Sequence, residues 1–273
     1  MDVTNAGLFT TADNANLTVG NSFTQDGAGS NSLGGSIFST LDSISFLRDV
    51  TLTSSITMAS GGGVDDVILF SSTVDGTGDQ DESLDLSAGA GSITFQDAVG
   101  SNVRLREILV FDASDVTFNS TVSALVFTQL AGTGTTTFAQ LFDFTNNFEF
   151  TGNNLTINGF GDNTVGTNMD VNNDGLFTTD VGSNLVAGDR FDQTGLSGTA
   201  ANSIGGDITS NSSYINFNSQ IDLTNNVVMT SGLGVLDDIT FRSTIDGSFD
   251  LTVTAGVVGE GPYRVMEQRP LDK

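Results

Sequence analysis

Short triplets in which one polar residue separates two apolar ones recur along the chain. Examples are Val50-Thr-Leu52, Ile56-Thr-Met58, Leu84-Asp-Leu86, Ile93-Thr-Phe95, Val116-Thr-Phe118 and Leu155-Thr-Ile157. Period-two alternation over so few residues predicts short strands with one face buried. Between the triplets stand Asp-Gly, Gly-Gly, Asn-Asn and Ser-Gly pairs, which favour turns. Equivalent triplets open at Ile93, Val116 and Thr136, 23 and 20 residues apart. Three strands and three turns fit that span. Such a block returns the chain close to its starting point one strand spacing higher, where each strand pairs in parallel with its counterparts above and below. The predicted fold is all-β: a right-handed parallel β-helix, or solenoid, with three-strand coils of roughly 20–25 residues. Phe95, Phe118 and Phe138 would then stack in one inward column. With a rise of about 4.8 Å per coil, about twelve coils make a rod of roughly 55–60 Å. The best helical candidate, Val103–Val110 (VRLREILV), alternates as well as it turns, and its Val and Ile content favours strand. A series of β-sandwich domains is the alternative fold, but its unit is longer than the rhythm seen here.

A longer period lies over the short one. MDVTNAGLFTT at residues 1–11 returns as MDVNNDGLFTT at residues 169–179, an offset of 168 with nine of eleven positions identical. The match continues through Phe23 with Phe191 and Gln25 with Gln193. After a small gap it resumes with Asn31-Ser-Leu-Gly-Gly35 on Asn202-Ser-Ile-Gly-Gly206, and with Asp65-Asp66 on Asp237-Asp238. The chain divides into a first repeat unit at 1–168, a partial second unit at 169–261 and a non-repeat tail at 262–273. Long tandem units mark arrays in which neighbours bury a continuous core. A chain that opens and closes inside its own repeat is expected to belong to something longer. The tail holds both prolines and the only lysine, Lys273. The proline-free body suits interior strands, whose ladder hydrogen bonds proline would delete.

Composition narrows the chemistry. The 273 residues include 33 acidic and 8 basic ones, a formal charge of −25. That balance disfavours nucleic acid and anionic membrane surfaces as partners and suits cations. No apolar run is long enough for membrane insertion, and no secretion signal is visible at the N-terminus. Cysteine and histidine are both absent, which removes thiolate chemistry, the commonest general base and the commonest transition-metal ligand.

At this point two stretches look familiar. Asp237-Asp-Ile-Thr-Phe-Arg-Ser-Thr-Ile-Asp-Gly247, followed by Phe249-Asp-Leu-Thr-Val-Thr-Ala-Gly256, is one. Gly91-Ser-Ile-Thr-Phe-Gln-Asp-Ala-Val-Gly100, leading to Leu105–Phe111, is the other. Both resemble the repeats of filamentous-haemagglutinin-like and autotransporter-like bacterial surface adhesins, over residues 40–160 and 205–256. The resemblance implies a secreted, extracellular protein of the bacterial cell surface, serving as stalk, adhesin or filament subunit without catalysis. Expected partners are a host-surface or glycan ligand and further copies stacked head to tail. The alternative is a carbohydrate-processing β-helix, a tailspike-like glycosidase or polysaccharide lyase.

Candidate sites are few. Asp170, Asn172 and Asp174 with Gly175 match the opening of an EF-hand-type calcium loop, and calcium is the one cofactor to consider. The closing acid is missing, since Val181 stands there, and a repeated turn explains the shared residues without a metal. Gly61-Gly-Gly-Val-Asp-Asp66 faintly echoes a calcium-binding nonapeptide. The acidic insertion Asp79, Asp81 and Glu82 reads as a solvated loop. Catalysis on a β-helix would need carboxylates paired on adjacent coils, or an acid beside an arginine. Arg104, Arg106 and Glu107 are a local mix of signs in the body, expected to neutralise one another. Ice binding would need Thr-x-Thr columns in register, and Thr51/Thr53, Thr135/Thr137 and Thr252/Thr254 do not supply them.

Overall fold

The computed structural model describes residues 1–78 and 80–256; Asp79 and the tail at 262–273 lie outside the described residues. The chain winds about eleven turns of a parallel β-solenoid. Three ladders run along it. The first begins with Asp2–Val3 and Phe23–Gln25 and ends with Ile245–Gly247. The second begins with Phe9–Thr11 and Asn31–Leu33 and ends with Leu251–Thr254. The third begins with Leu17–Val19 and Ile37–Ser39 and ends with Ile239–Phe241. Val122–Gln129 serves both the second and the third ladder, turning the corner without leaving strand conformation. Every strand pair is parallel, and the described residues contain no helix. A sandwich is thereby excluded, since its sheets pair antiparallel. Coils take between 19 and 28 residues, read from Thr136 to Leu155 and from Ile56 to Leu84.

Alternation is the local cause of the fold. Ile93–Phe95, Val116–Phe118 and Phe142–Phe144 each bury their outer two residues and leave the middle one half-exposed. Inward residues of successive coils then meet. On the first ladder Phe46, Phe70, Phe95, Phe118 and Phe138 stack with centroids 5.8, 4.9, 4.8 and 4.8 Å apart. The rings are forced into this near-parallel stack by the strand spacing. Leu105–Asp112 is a strand, as the Val and Ile content of that stretch predicts. Outside, Thr94, Thr117, Thr137, Thr156 and Thr178 stand in one column on the first ladder. Threonines do recur in register, then, but with no second threonine column beside this one: the positions two residues before them are Ser92, Asp115, Thr135, Asn154 and Leu176.

Turn geometry closes the coils. Gly100 has φ +68° and sits so near the Ser123 carbonyl that a Cβ would lie 1.9 Å from its oxygen. There the second ladder narrows to one residue, Val99, bridging Val74 and Val122.

The two copies of the long repeat occupy different ladders. Asp2–Val3 lies on the first ladder, and its counterpart Met169–Asn173 on the third. Phe9–Thr11 lies on the second, Leu176–Thr179 on the first. Leu17–Val19 lies on the third, Ser183–Ala187 on the second. The 168-residue unit spans 23 strand positions, two-thirds of a coil more than seven full coils. The second copy is therefore rotated by one ladder.

Buried polar residues travel with the string and not with the ladder. Gln25 Nε2 donates to Asn5 Oδ1 (2.8 Å), and Asn31 Nδ2 donates to Gln25 Oε1 (3.1 Å). In the second copy Gln193 Nε2 donates to Asn173 Oδ1 (2.7 Å), and Asn202 Nδ2 to Gln193 Oε1 (3.3 Å). Thr11 Oγ1 accepts from the Gly34 and Gly35 amides, and Thr179 Oγ1 from those of Gly205 and Gly206. Each brace satisfies turn amides and carbonyls that a corner would otherwise bury unpaired, which would cost about 1–3 kcal/mol per group.

Candidate functional site

A groove of about 340 Å³ runs along the outside of the third ladder. It exists because outward side chains of parallel strands in register form straight columns. One column is Thr128, Glu149, Asp170 and Asp192 on four successive coils. Beside it stand Thr151, Asn172 and Thr194. Neighbours in a column are about 4.8 Å apart. Carboxylate, amide and hydroxyl groups thus repeat once per coil.

Arg190, just before the strand Phe191–Gly195, reaches down to Asp170. Its Nε donates to Oδ1 at 3.1 Å and its Nη2 to Oδ2 at 2.7 Å. Burial opposes the guanidinium charge, but the Asp170 hydrogen bonds outweigh it and raise the Arg190 pKa. Asp192 accepts from Asn216 Nδ2 at 2.7 Å. Tyr214 stands at the same end, its phenol pKa pushed up by burial and then by the Asp192 carboxylate. The groove is lined by three carboxylates and one guanidinium.

The structure distributes the residues singled out from sequence as follows. Asp170 and Asn172 share one extended strand, Met169–Asn173, and line the groove. Asp174 is exposed on the turn that follows. Asp170 and Asn172 point the same way from the strand, and Arg190 holds the Asp170 carboxylate. Among the described residues no three acidic side chains gather in a metal-binding cluster. Asp66 closes the Gly61–Asp66 turn by accepting from the Gly63 amide at 2.7 Å. In the second copy Asp237 accepts from the Gly234 amide in the same way. In the acidic insertion, Glu82 is buried and accepts from the Thr77 amide at 2.9 Å, while Asp81 is exposed.

Arg104, Arg106 and Glu107 do not neutralise one another. Arg104 pairs with Asp143, and Arg106 Nε donates to Ser83 Oγ at 2.9 Å. Glu107 Oε1 accepts from Thr128 Oγ1 at 3.4 Å. On a solenoid the nearest partners of a side chain belong to the coils above and below.

Asp143 gives a pH prediction. Burial pushes its carboxyl up, but the Arg104 and Thr164 hydrogen bonds overcome this and hold it below its usual 3.8. A depressed folded-state pKa stabilises the fold above the unfolded value and loses that contribution as pH falls through the folded one. Asp143 is 44 % exposed, so the effect stays below about 1 kcal/mol. Urea unfolding of D143N and the parent chain should differ at pH 7 and converge as pH falls through the depressed folded-state pKa of Asp143.

Comparison with protein-family models, with curated proteins and with solved structures found no match to this chain.

Proposed function

We propose that this chain is a rod segment of an extracellular, surface-displayed bacterial solenoid of the filamentous-haemagglutinin-like kind. On this reading the third-ladder groove holds a glycan. The observation that carries the proposal is the coil-periodic column of Glu149, Asp170 and Asp192 beside Thr151, Asn172 and Thr194. Sugar hydroxyls, as donors and acceptors together, suit such a lining. The solenoid supports it with about eleven turns of uninterrupted core, a rigid body of roughly 50 Å. Extracellular location and adhesion come from the resemblance to adhesin repeats.

The carbohydrate-processing alternative has one observation of its own. The strands that carry neighbouring carboxylates in the column are about 4.8 Å apart along the axis, and retaining glycosidases hold two carboxyl groups roughly 5–5.5 Å apart. Arg190 neutralises the middle one, Asp170, which favours binding over catalysis.

Glycan-array binding by the whole chain, compared with E149Q and D192N, tests both readings. Binding that weakens at least tenfold in each variant, with no release of reducing ends by the parent, supports an adhesive groove. Cleavage by the parent that is lost in a single variant would replace it with an enzyme. No binding to any glycan would remove both.

A further inference from the structure

The coil that runs from Ile56 to its ladder partner Leu84 takes 28 residues. Its extra length lies in one corner. Seven residues separate Gly76 from Leu84, whereas three separate the matching Gly247 from Leu251 in the second copy. Gly78, Gln80 and Asp81 of this insertion are exposed, but Glu82 turns inward and is only 1 % exposed. The next coil clamps the corner from both sides. The Gly76 amide donates to the Val103 carbonyl at 3.0 Å, and the Arg106 amide donates to the Glu82 carbonyl at 2.8 Å.

The two oxygens of the Glu82 carboxylate differ. Oε1 accepts from the Thr77 amide at 2.9 Å and from the Thr77 hydroxyl. Oε2 is buried and has no hydrogen-bond partner among the described residues. It faces the Gly76 backbone together with a second oxygen. A Cβ built on Gly76 would lie 2.7 Å from Glu82 Oε2 and 3.1 Å from the Arg104 carbonyl oxygen. Glycine at this position keeps the space between those oxygens clear of a side chain.

Nearby charges do not settle Glu82. Asp75 is buried in the same corner, and its own oxygens accept from the Asn102 amide at 2.8 Å, Asn102 Nδ2 at 3.0 Å and the Val103 amide at 3.4 Å. The arginines of the next coil are engaged elsewhere, Arg104 with Asp143 and Arg106 with Ser83. Among the described residues neither buried carboxylate forms an ion pair. Burying a carboxylate is costly unless a partner, hydrogen bonds or a metal ion offset its charge.

We propose that Glu82 Oε2 and the Arg104 carbonyl oxygen are ligands of a calcium ion held beneath the 76–82 loop. Both donors are hard oxygens, and the chain has no cysteine or histidine to attract a softer metal. Calcium accepts irregular sets of carboxylate and carbonyl oxygens, whereas magnesium demands a near-ideal octahedron and keeps its waters. A backbone carbonyl as second ligand removes the need for a cluster of three acids. With one carboxylate oxygen committed to it, the ion binds weakly, with a Kd on the order of 10⁻⁴–10⁻³ M, as in extracellular calcium modules. Bound there, it neutralises Glu82 and ties the inserted loop to the coil that follows. The site is separate from the string at 170–174, where Asp170 is held by Arg190.

Thermal melting of the whole chain in about 10 mM calcium chloride, above that range of Kd, tests the site. The midpoint should rise by roughly 4 °C, and magnesium chloride at the same concentration should give less than half of this. E82Q keeps an acceptor oxygen for Thr77 and removes the charge. It should melt no lower than the parent without calcium and gain nothing from the ion, while D170N should gain as much as the parent. Hydrogen exchange in the parent gives a readout that needs no variant: calcium should slow the Thr77 and Glu82 amides about tenfold and leave those of Asp170 and Asn172 unchanged. No rise in the parent, an equal rise with magnesium, an equal rise in E82Q, a rise lost in D170N, or protection that bypasses Thr77 and Glu82 would overturn the proposal.

Discussion

Phe118→Ala is expected to lower the unfolding free energy by about 4 kcal/mol, read as a shift of the urea midpoint. Phe118 is wholly buried. Its ring lies 4.8 Å from Phe95 below and 4.8 Å from Phe138 above, with Phe127 edge-on at 6.1 Å. Truncation removes the transfer free energy of the ring, leaves a cavity, and breaks two stacks worth about 0.5–1.5 kcal/mol each. Collapse is a poor remedy here. The strands above and below hold their spacing by ladder hydrogen bonds, so neighbouring rings cannot close the gap along the axis. Phe9→Ala, in the half-buried first coil, should cost less than half as much in the same assay. Equal costs at the two sites would mean that the column is not a continuous core.

Gln193→Ala is expected to cost about 3 kcal/mol, although it deletes no apolar packing. The Gln193 amide meets five partners. Its Nε2 donates to Asn173 Oδ1 and Ser219 Oγ, and its Oε1 accepts from Asn202 Nδ2 and the Asn218 and Ser219 amides. Alanine would leave Asn173 Oδ1 and the Ser219 amide without this partner, while the Asn218 amide keeps the Gln193 carbonyl and Asn202 Nδ2 keeps the carbonyls of Ser219 and Gln220; an unpaired buried group is the expensive way to lose a hydrogen bond. Gln25→Ala breaks the matching brace on another ladder. Its partner Asn5 stands in the half-exposed first coil, where water replaces part of what is lost, and about 1–2 kcal/mol is expected. The comparison separates the brace from its ladder. If the rotated repeat is right, both variants destabilise in that order; a neutral Gln193→Ala would show that the brace is incidental.

Much of the architecture was legible in the sequence for a local reason. Ile93-Thr-Phe95 and Val116-Thr-Phe118 each state their own burial pattern, because alternation along a strand is a property of adjacent residues. Their spacing states the coil length. The candidate groove was half legible. Asp170 and Asn172 drew attention as parts of a metal-loop string, and the structure makes them neighbours on the outside of one strand. Glu149 and Asp192 gave no signal alone, being ordinary charged residues in strands. What joins them to Asp170 is the register of coils 19 to 28 residues long. The Arg104–Asp143 pair was hidden for the same reason, its members standing 39 positions apart.

The sequence by itself determined the strands, the parallel stacking, the phenylalanine column and the existence of two copies, since each follows from residue order over a few positions or from direct comparison of strings. Only the tertiary structure decided which ladder each copy occupies, which carboxylates share a column and which arginine neutralises which acid. Those depend on a running count of strands and turns of unequal length, 23 positions between the copies. One more strand position would have put every later side chain on another face while leaving the local alternation unchanged.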